Sequence, residues 1–243
     1  EAAIDYLRKK GQKVSEKRAD RETNEGVVIA VINNDGSFGT IMGLGCETDF
    51  VAKNQAYIDF AKSISDVAMA NKAESKEALM AMTMDGITIA EKIAEQVGKI
   101  GEKIDITDYA LLSAETVVAY NHSNGKVGVL VAMNKKGEAV ETVGKDVTMQ
   151  IAAMSPIAID KNDVPEEVKT REMEIGREQA RAEGKPEAIL EKIATGKLEA
   201  YFKDATLLNQ KFVKDNSKSI RDVLTAVDKD LTVTAFKRIG LGA

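Results

Sequence analysis

The chain has 243 residues, of which 44% are apolar, and this is enough to bury a sizeable core in one large domain or two smaller ones. Its 34 basic and 39 acidic residues are interspersed and give a formal net charge of -5, so no basic stripe is evident and a nucleic acid is not expected as the main ligand. The longest apolar runs are strand-length, which predicts no membrane-spanning helix, and the single cysteine, Cys46, excludes an internal disulfide and favours a reducing, cytoplasmic setting.

The first 25 residues are predicted to form the end of a helix and a linker. The run from Glu1 to Gly11 places apolar side chains on one side of a short helix, which Gly11 would end. Residues 12–25 are almost all polar or charged, as is typical of a solvated connection. We therefore expect the compact part of the chain to begin near Gly26.

An internal repeat follows. Residues 28–44 align without a gap with residues 117–133. The pairs Asp35-Gly36 and Asn124-Gly125 fall between β-branched runs, where two residues that tolerate positive φ favour a tight reverse turn. The repeat therefore predicts one β-hairpin in each half of the chain.

Each predicted hairpin is followed by a helix and, further along, by a third strand. Apolar side chains at helical spacing favour helices over residues 56–71 and 145–154, and alternating patterns favour strands over 103–109 and 231–236. Two further helical stretches are expected over residues 75–83 and 88–97, the second ended by Gly98. The sequence thus predicts an α+β fold of two related subdomains, each a small three-stranded antiparallel sheet covered by helices.

A helical hairpin is predicted inside the second subdomain, at about residues 163–204. Pro165 starts its first helix, and the Gly184-Lys185-Pro186 run separates it from the second. Its apolar stripe is thin, so the hairpin is expected to pack along its own length or to meet a partner, including a second copy in a homodimer. The expected divisions are an N-terminal helix and linker over 1–25, an N-terminal core subdomain over 26–112, and a C-terminal core subdomain over 113–243.

Several segments resemble a known family. The run Gly45-Cys-Glu-Thr-Asp-Phe-Val-Ala-Lys-Asn54 contains an unsubstituted Thr-Asp-Phe-Val-Ala motif, and Lys99-Ile-Gly-Glu-Lys-Ile104 contains an Ile-Gly-Glu step before a strand. On these runs, and on Gly125-Lys-Val-Gly-Val-Leu-Val131, the chain resembles the elongation factor Ts family over essentially its whole length. That family normally begins with a small three-helix module, and this chain is expected to start inside the last helix of it. If nothing precedes Glu1, partner binding is expected to be weaker than for an intact factor.

The resemblance implies a guanine-nucleotide exchange factor for the translation elongation GTPase EF-Tu, which it would bind in the GDP-bound and nucleotide-free states. Phe50 is expected to enter an apolar pocket between two helices of the GTPase, and GDP would leave because magnesium and phosphate contacts are displaced. The residues implied to contact EF-Tu are Thr48, Asp49, Phe50, Val51, Ala52, Ile100, Gly101 and His122.

These residues also have ordinary structural interpretations. An aromatic side chain near the start of a helix often packs into its own core, although a cap by Thr48 or Asp49 would fix the loop and hold Phe50 outward. Asp49 would act on the GTPase either by a hydrogen bond or by unfavourable charge near the phosphates. The Ile-Gly step is equally consistent with packing and turn formation, and His122 with an exposed position beside a turn.

Catalysis is not expected, and neither are catalytic residues, a metal site or a cofactor. One cysteine and one histidine offer no nucleophile and base at a telling spacing, and the chain has no Gly-rich phosphate loop. Two non-catalytic alternatives stay open. One is an RNA-binding module that would stack bases on Phe38, Tyr120 and Phe236. The other is a scaffold that uses the sheet faces or the helical hairpin.

Overall fold

The computed structural model describes residues 20–242 and, before them, Tyr6, Gly11, Lys13 and Arg18. The predicted helix over residues 1–11 lies largely outside this part of the chain. The strands of the described residues are β1 Glu25–Ile32, β2 Phe38–Cys46, β3 Thr83–Met84, β4 Ile87–Thr88, β5 Ile104–Ser113, β6 Thr116–Asn121, β7 Val127–Met133, β8 Lys211–Phe212, β9 Asp215–Ser219 and β10 Val233–Gly240. The helices are α1 Asp49–Ala52, α2 Gln55–Asn71, α3 Lys76–Ala81, α4 Ile89–Ile100, α5 Glu138–Met154, α6 Glu166–Ala182, α7 Glu187–Ala205 and α8 Ile220–Val227.

The described chain divides into two compact units. The first runs to Ala152 and resumes at Ala235, and the second is Ala153–Thr234. The first unit holds two three-stranded sheets, in the orders β1-β2-β5 and β10-β7-β6, and the second holds the β8-β9 pair. Small antiparallel sheets with helices confirm the predicted α+β class. The division into subdomains at residues 25/26 and 112/113 stays a prediction.

One face of the first sheet packs against helices. Antiparallel pairing aligns Cys46 with Glu25 of β1 and with Ile104 of β5, so the three strands end together at this edge. Ile64 of α2 and Ile89 of α4 are fully buried in the same apolar cluster as the strand residues. This burial is what fixes α2 over the sheet, since a single amphipathic helix is not stable alone.

The opposite face of the first sheet packs against the second sheet. Val28 and Ile41 share a buried cluster with Leu130 of β7. The strands approach closely at Gly128, where an added Cβ would lie 2.6 Å from Val28 Cγ1. Asn121 also joins the two sheets, because its side-chain amide accepts from the N–H of Ala30 and donates to the C=O of the same residue, both at 2.8 Å.

Both predicted hairpins form, but their turns differ from the prediction. Residues 33–37 and 122–126 form five-residue connections instead of two-residue turns. Gly36 and Gly125 adopt positive φ, at 64° and 71°, whereas Asp35 and Asn124 do not. Side-chain hydrogen bonds explain the longer connection, since Asp35 Oδ1 accepts from the backbone N–H of Ser37 at 3.1 Å.

Two helix boundaries also differ from the prediction. Helix α4 passes through the buried Gly98 and ends at Ile100, because Gly101, at φ 81°, is the residue that adopts the left-handed cap conformation. The N–H of Gly101 donates to Val97 O at 2.8 Å. Helix α5 begins at Glu138, seven residues before the predicted start at residue 145.

The second unit contains the predicted helical hairpin, formed by α6 and α7. The two helices approach closely where Gly176 meets Ala194, because an added Cβ would lie 3.1 Å from Ala194 Cα. Exposed ion pairs such as Arg177 to Glu191, at 2.8 Å, run along the hairpin. None of the helices in the described part of the chain has the length and apolar character needed to cross a bilayer.

Candidate functional site

The tip, residues 48–52, is a short helical turn between β2 and α2. Thr48 is the N-cap of α1, and its Oγ1 accepts from the N–H of Val51 at 3.4 Å. The side chain of Asn54 then caps α2 by accepting from the N–H of Ala56 at 2.9 Å. Each of the two successive helices therefore begins with a side-chain cap, which stabilises the turn that carries the tip.

The apolar residues of the tip point in different directions. Phe50 is 85% exposed. Val51 and Ala52 pack against the core of the first sheet. Phe50 therefore does not fill its own core, which was one of the two interpretations of the sequence, and its neighbours anchor the turn from which it projects.

The side chain of Asp49 is 47% exposed and forms an ion pair with Lys53 next to the tip. Its carboxylate accepts from Lys53 Nζ at 2.6 Å, four residues along the chain. This hydrogen bond and the charge of Lys53 hold the pKa of Asp49 below its usual range. Asp49 therefore carries its negative charge beside Phe50 at neutral pH.

Glu102 holds the tip from a distant part of the sequence. Its Oε2 accepts from the N–H groups of Glu47 and Thr48, both at 3.1 Å. Its Oε1 accepts from the Thr48 hydroxyl at 2.7 Å. The sequence interpretation missed this residue, although it is the third residue of the Ile-Gly-Glu step that was singled out.

Glu47 makes the complementary contacts. Its Oε1 accepts from the N–H of Lys103 at 2.7 Å. The same oxygen forms an ion pair with Arg18, and Oε2 forms one with Arg21. Burial acts to raise the pKa of Glu47, but the hydrogen bonds from Lys103 and Arg18 and the nearby positive charges outweigh it and hold the pKa below its usual range. Glu47 and Glu102, which we call the carboxylate pair, thus connect the tip to the segment before β5.

The structure brings the Ile100-Gly101 step close to the tip through the carboxylate pair. Ile100 ends α4 and is 37% exposed, so part of its side chain is available for contact. A Cβ on Gly101 would meet nothing within 4 Å, so this glycine is required by its φ of 81° and not by lack of space.

His122 lies at the start of the loop that faces the tip across a groove. Its Nδ1 is 2.8 Å from the Tyr120 hydroxyl, and its side chain is exposed. His122 does not line the groove itself, whereas residues 123–126 do. The groove has a volume of about 870 Å³, and its lining includes Glu25, Thr48, Asp49, Phe50, Lys53, Ile58 and Lys126.

The cysteine beside the tip is chemically inert. The Cys46 thiol is buried and donates to Thr48 O at 3.3 Å, and desolvation raises its pKa to about 11, so it is neutral and inert at pH 7. Among the residues that the structure describes, no three His, Cys, Asp or Glu side chains are grouped to hold a metal ion.

Two of the three aromatic residues considered for base stacking, Phe38 and Tyr120, make contacts within the chain. The ammonium group of Lys72 lies 4.5 Å from the centroid of the Phe38 ring and covers one of its faces. Tyr120 is tilted against His122, with ring centroids 6.0 Å apart.

A family model and the sequences of known proteins indicate the same family for this chain. Residues 47–243 match the family model described as elongation factor TS. The chain is 54% identical to elongation factor Ts of Cytophaga hutchinsonii over 243 residues, which is 99% of this chain and 87% of that protein. It is 50% identical to elongation factor Ts of Amoebophilus asiaticus over 242 residues and 44% identical to that of Flavobacterium psychrophilum over 240 residues, again 99% of this chain and 87% of each relative.

Proposed function

Because this chain belongs to the elongation factor Ts family, we propose that it is a guanine-nucleotide exchange factor for the translation elongation GTPase EF-Tu and acts in the cytoplasm. Such a factor binds nucleotide-free EF-Tu more tightly than the GDP-bound form. By thermodynamic linkage it then weakens GDP binding by the same factor. No covalent bond is made or broken, so the function needs neither a catalytic residue nor a cofactor in this chain.

The observation that carries the proposal is Phe50, which is 85% exposed on a capped, anchored turn. A large apolar side chain held outward in this way is typical of a residue that becomes buried in a partner. Full burial of a phenylalanine contributes about 1.5 to 3 kcal/mol. We propose that Phe50 enters an apolar pocket between two helices of EF-Tu, and that this free energy stabilises the displaced helices.

Displacement of those helices would act on the nucleotide through the magnesium ion of EF-Tu. That ion is the largest positive charge near the phosphates, so a shift of its ligands raises the rate at which GDP dissociates. Asp49 already has its charge paired with Lys53. We therefore favour a hydrogen bond from the GTPase to Asp49 over charge repulsion of the phosphates.

The other proposed contact residues have distinct parts. Val51 and Ala52 anchor the turn that carries Phe50, because they pack against the core of this chain. Ile100 and Gly101 would contact EF-Tu beside the tip. His122 would contact it from the loop on the far side of the groove. A groove of about 870 Å³ between the tip and this loop is large enough for side chains of a partner.

The release of a fluorescent GDP analogue from EF-Tu tests the proposal. We expect the unaltered chain to accelerate release and the Phe50→Ala variant largely to fail. Ile32→Ala is the matched control, since Ile32 is also exposed but lies at the end of β1 opposite to the groove-lining Glu25. This control is expected to match the unaltered chain. If the unaltered chain does not accelerate release, the proposed function is wrong. If the unaltered chain accelerates release and Phe50→Ala accelerates it equally, exchange stands but the role of Phe50 is wrong.

A further inference from the structure

The two members of the carboxylate pair hold each other's backbone. Glu102, which precedes β5, accepts from the N–H groups of Glu47 and Thr48. Glu47, which follows β2, accepts from the N–H of Lys103. Each carboxylate therefore satisfies backbone donors that the strand ladder leaves free, and the ends of β2 and β5 are fixed relative to each other beyond their last paired residues, Cys46 and Ile104.

We propose that Glu102 is a positioning residue for exchange, which fixes the direction of Phe50 before EF-Tu arrives. This inference rests on the proposed function, because it deepens the role assigned there to the tip. Glu102 does not have to touch the GTPase in order to act. It orients the backbone and hydroxyl of Thr48, and Thr48 in turn caps the turn that carries Phe50.

The chemistry of the three contacts requires a carboxylate. Glu102 accepts from two N–H groups and one hydroxyl at the same time. An ionised carboxylate has two oxygens that only accept, whereas a glutamine amide has one accepting oxygen and a nitrogen that only donates. Glutamine can therefore retain part of this arrangement, and alanine retains none of it.

The Thr48 hydroxyl makes the contact directional. It donates to Glu102 Oε1 at 2.7 Å while its oxygen accepts from Val51 N. The hydroxyl of Thr48 thus donates its proton to Glu102 and uses a lone pair to accept from the first turn of α1. Loss of Glu102 would free the hydroxyl to rotate and would leave two backbone N–H groups without their acceptor.

Fixing the tip in advance is useful to an exchange factor for a physical reason. A side chain that already points in one direction loses less conformational freedom when it is buried in the partner, so more of its burial free energy contributes to binding. A misplacement of about 1 Å at such a contact can lower a rate by roughly a hundredfold. The exposure of Phe50 provides the contact surface, and the contacts of Glu102 fix the direction in which the Phe50 side chain points.

A double-mutant cycle tests this inference. We expect Glu102→Ala to lower the acceleration of GDP release by about tenfold or more, and Glu102→Gln to lower it less. In a Phe50→Ala background the same changes should have little further effect, because two residues that act through one contact are not additive. Glu74→Gln is the control, since it removes an equal charge from an exposed side chain just before α3 and should leave release unchanged. Additive losses in the cycle would overturn the inference.

A second measurement does not depend on exchange. The chain has no tryptophan, so Phe50→Trp places a single tryptophan reporter at the tip. In the free protein, time-resolved anisotropy should show more local motion after Glu102→Gln, and still more after Glu102→Ala, but not after Glu74→Gln. Unchanged anisotropy in a folded Glu102→Gln variant would overturn the inference even if exchange is observed. Increased motion in a chain that does not promote exchange would support the positioning and refute the proposed function instead.

Discussion

Truncation of two phenylalanines should have opposite consequences for stability and for binding. Phe50 of the tip is 85% exposed, whereas Phe60 of α2 is 8% exposed and belongs to the core of the first sheet. Phe50→Ala removes a side chain with only a small buried fraction, so it should lower the free energy of unfolding by at most about 0.5 kcal/mol. Phe60→Ala removes a core side chain and should lower it by about 3 to 5 kcal/mol.

The effect on binding should be reversed in rank. If Phe50 becomes buried in EF-Tu, its truncation should weaken binding to nucleotide-free EF-Tu by about 1.5 to 3 kcal/mol, which is roughly 10-fold to 150-fold in Kd. Phe60→Ala should bind with nearly unchanged Kd under conditions in which it remains folded, because Phe60 is covered by its own core.

Urea denaturation followed by circular dichroism measures the first quantity, and titration calorimetry with nucleotide-free EF-Tu measures the second. The m-value should be the same for all variants, so that a shift in midpoint reports stability alone. A destabilisation above about 1.5 kcal/mol for Phe50→Ala would show that this side chain packs in its own protein. The argument from exposure to partner contact would then fail.

Three further predictions concern pH, backbone and assembly. Burial raises the pKa of Cys46 to about 11, from about 9 in the unfolded chain, so the stability that the protonated thiol contributes is complete below pH 9 and is lost as the pH rises towards 11. Between pH 9 and 10, the unaltered chain should lose about 1 kcal/mol more of its free energy of unfolding than Cys46→Ala, as measured by urea denaturation. Equal losses in the two proteins would refute this. Gly101→Ala should destabilise by about 1 kcal/mol, because Gly101 has a φ of 81°, and thermal unfolding with no change would contradict this. If the helical hairpin mediates a homodimer, Ile189→Lys should raise the dissociation constant measured by sedimentation equilibrium, since Ile189 is 41% exposed on α7, and an unaltered chain that stays monomeric at all concentrations would exclude this assembly.

Local patterns in the sequence predicted the local features of the fold. The repeat located both hairpins because β-branched alternation and glycine-containing turns are readable from neighbouring residues. The helical hairpin was located by Pro165 and by the break at Gly184 for the same reason. The end of α4 was misplaced because both Gly98 and Gly101 are possible stops, and the sequence alone does not show which glycine takes the left-handed conformation.

The position of the tip was predictable from the sequence, but the residues that support it were not. The motif located the tip, and the orientation of Phe50 was one of two possibilities that burial then decided. The contacts of Glu102 with Thr48 join residues 54 positions apart in the chain. No periodicity or spacing reports such a pairing, because it depends on β2 and β5 lying side by side in the sheet.

The arrangement of the tip also accounts for why an exposed phenylalanine is compatible with a stable fold. Exposure of one aromatic side chain is a small cost when the turn beneath it is held by Val51, Ala52 and the Thr48 cap. Because Phe50 makes little contribution to folding, it is available for burial elsewhere. Glu102 makes the complementary contribution. It has no large apolar surface to offer a partner, but in our proposal it controls the direction in which the Phe50 side chain is presented. The proposal thus assigns stability, direction and contact to different side chains, and each can be altered separately in an experiment.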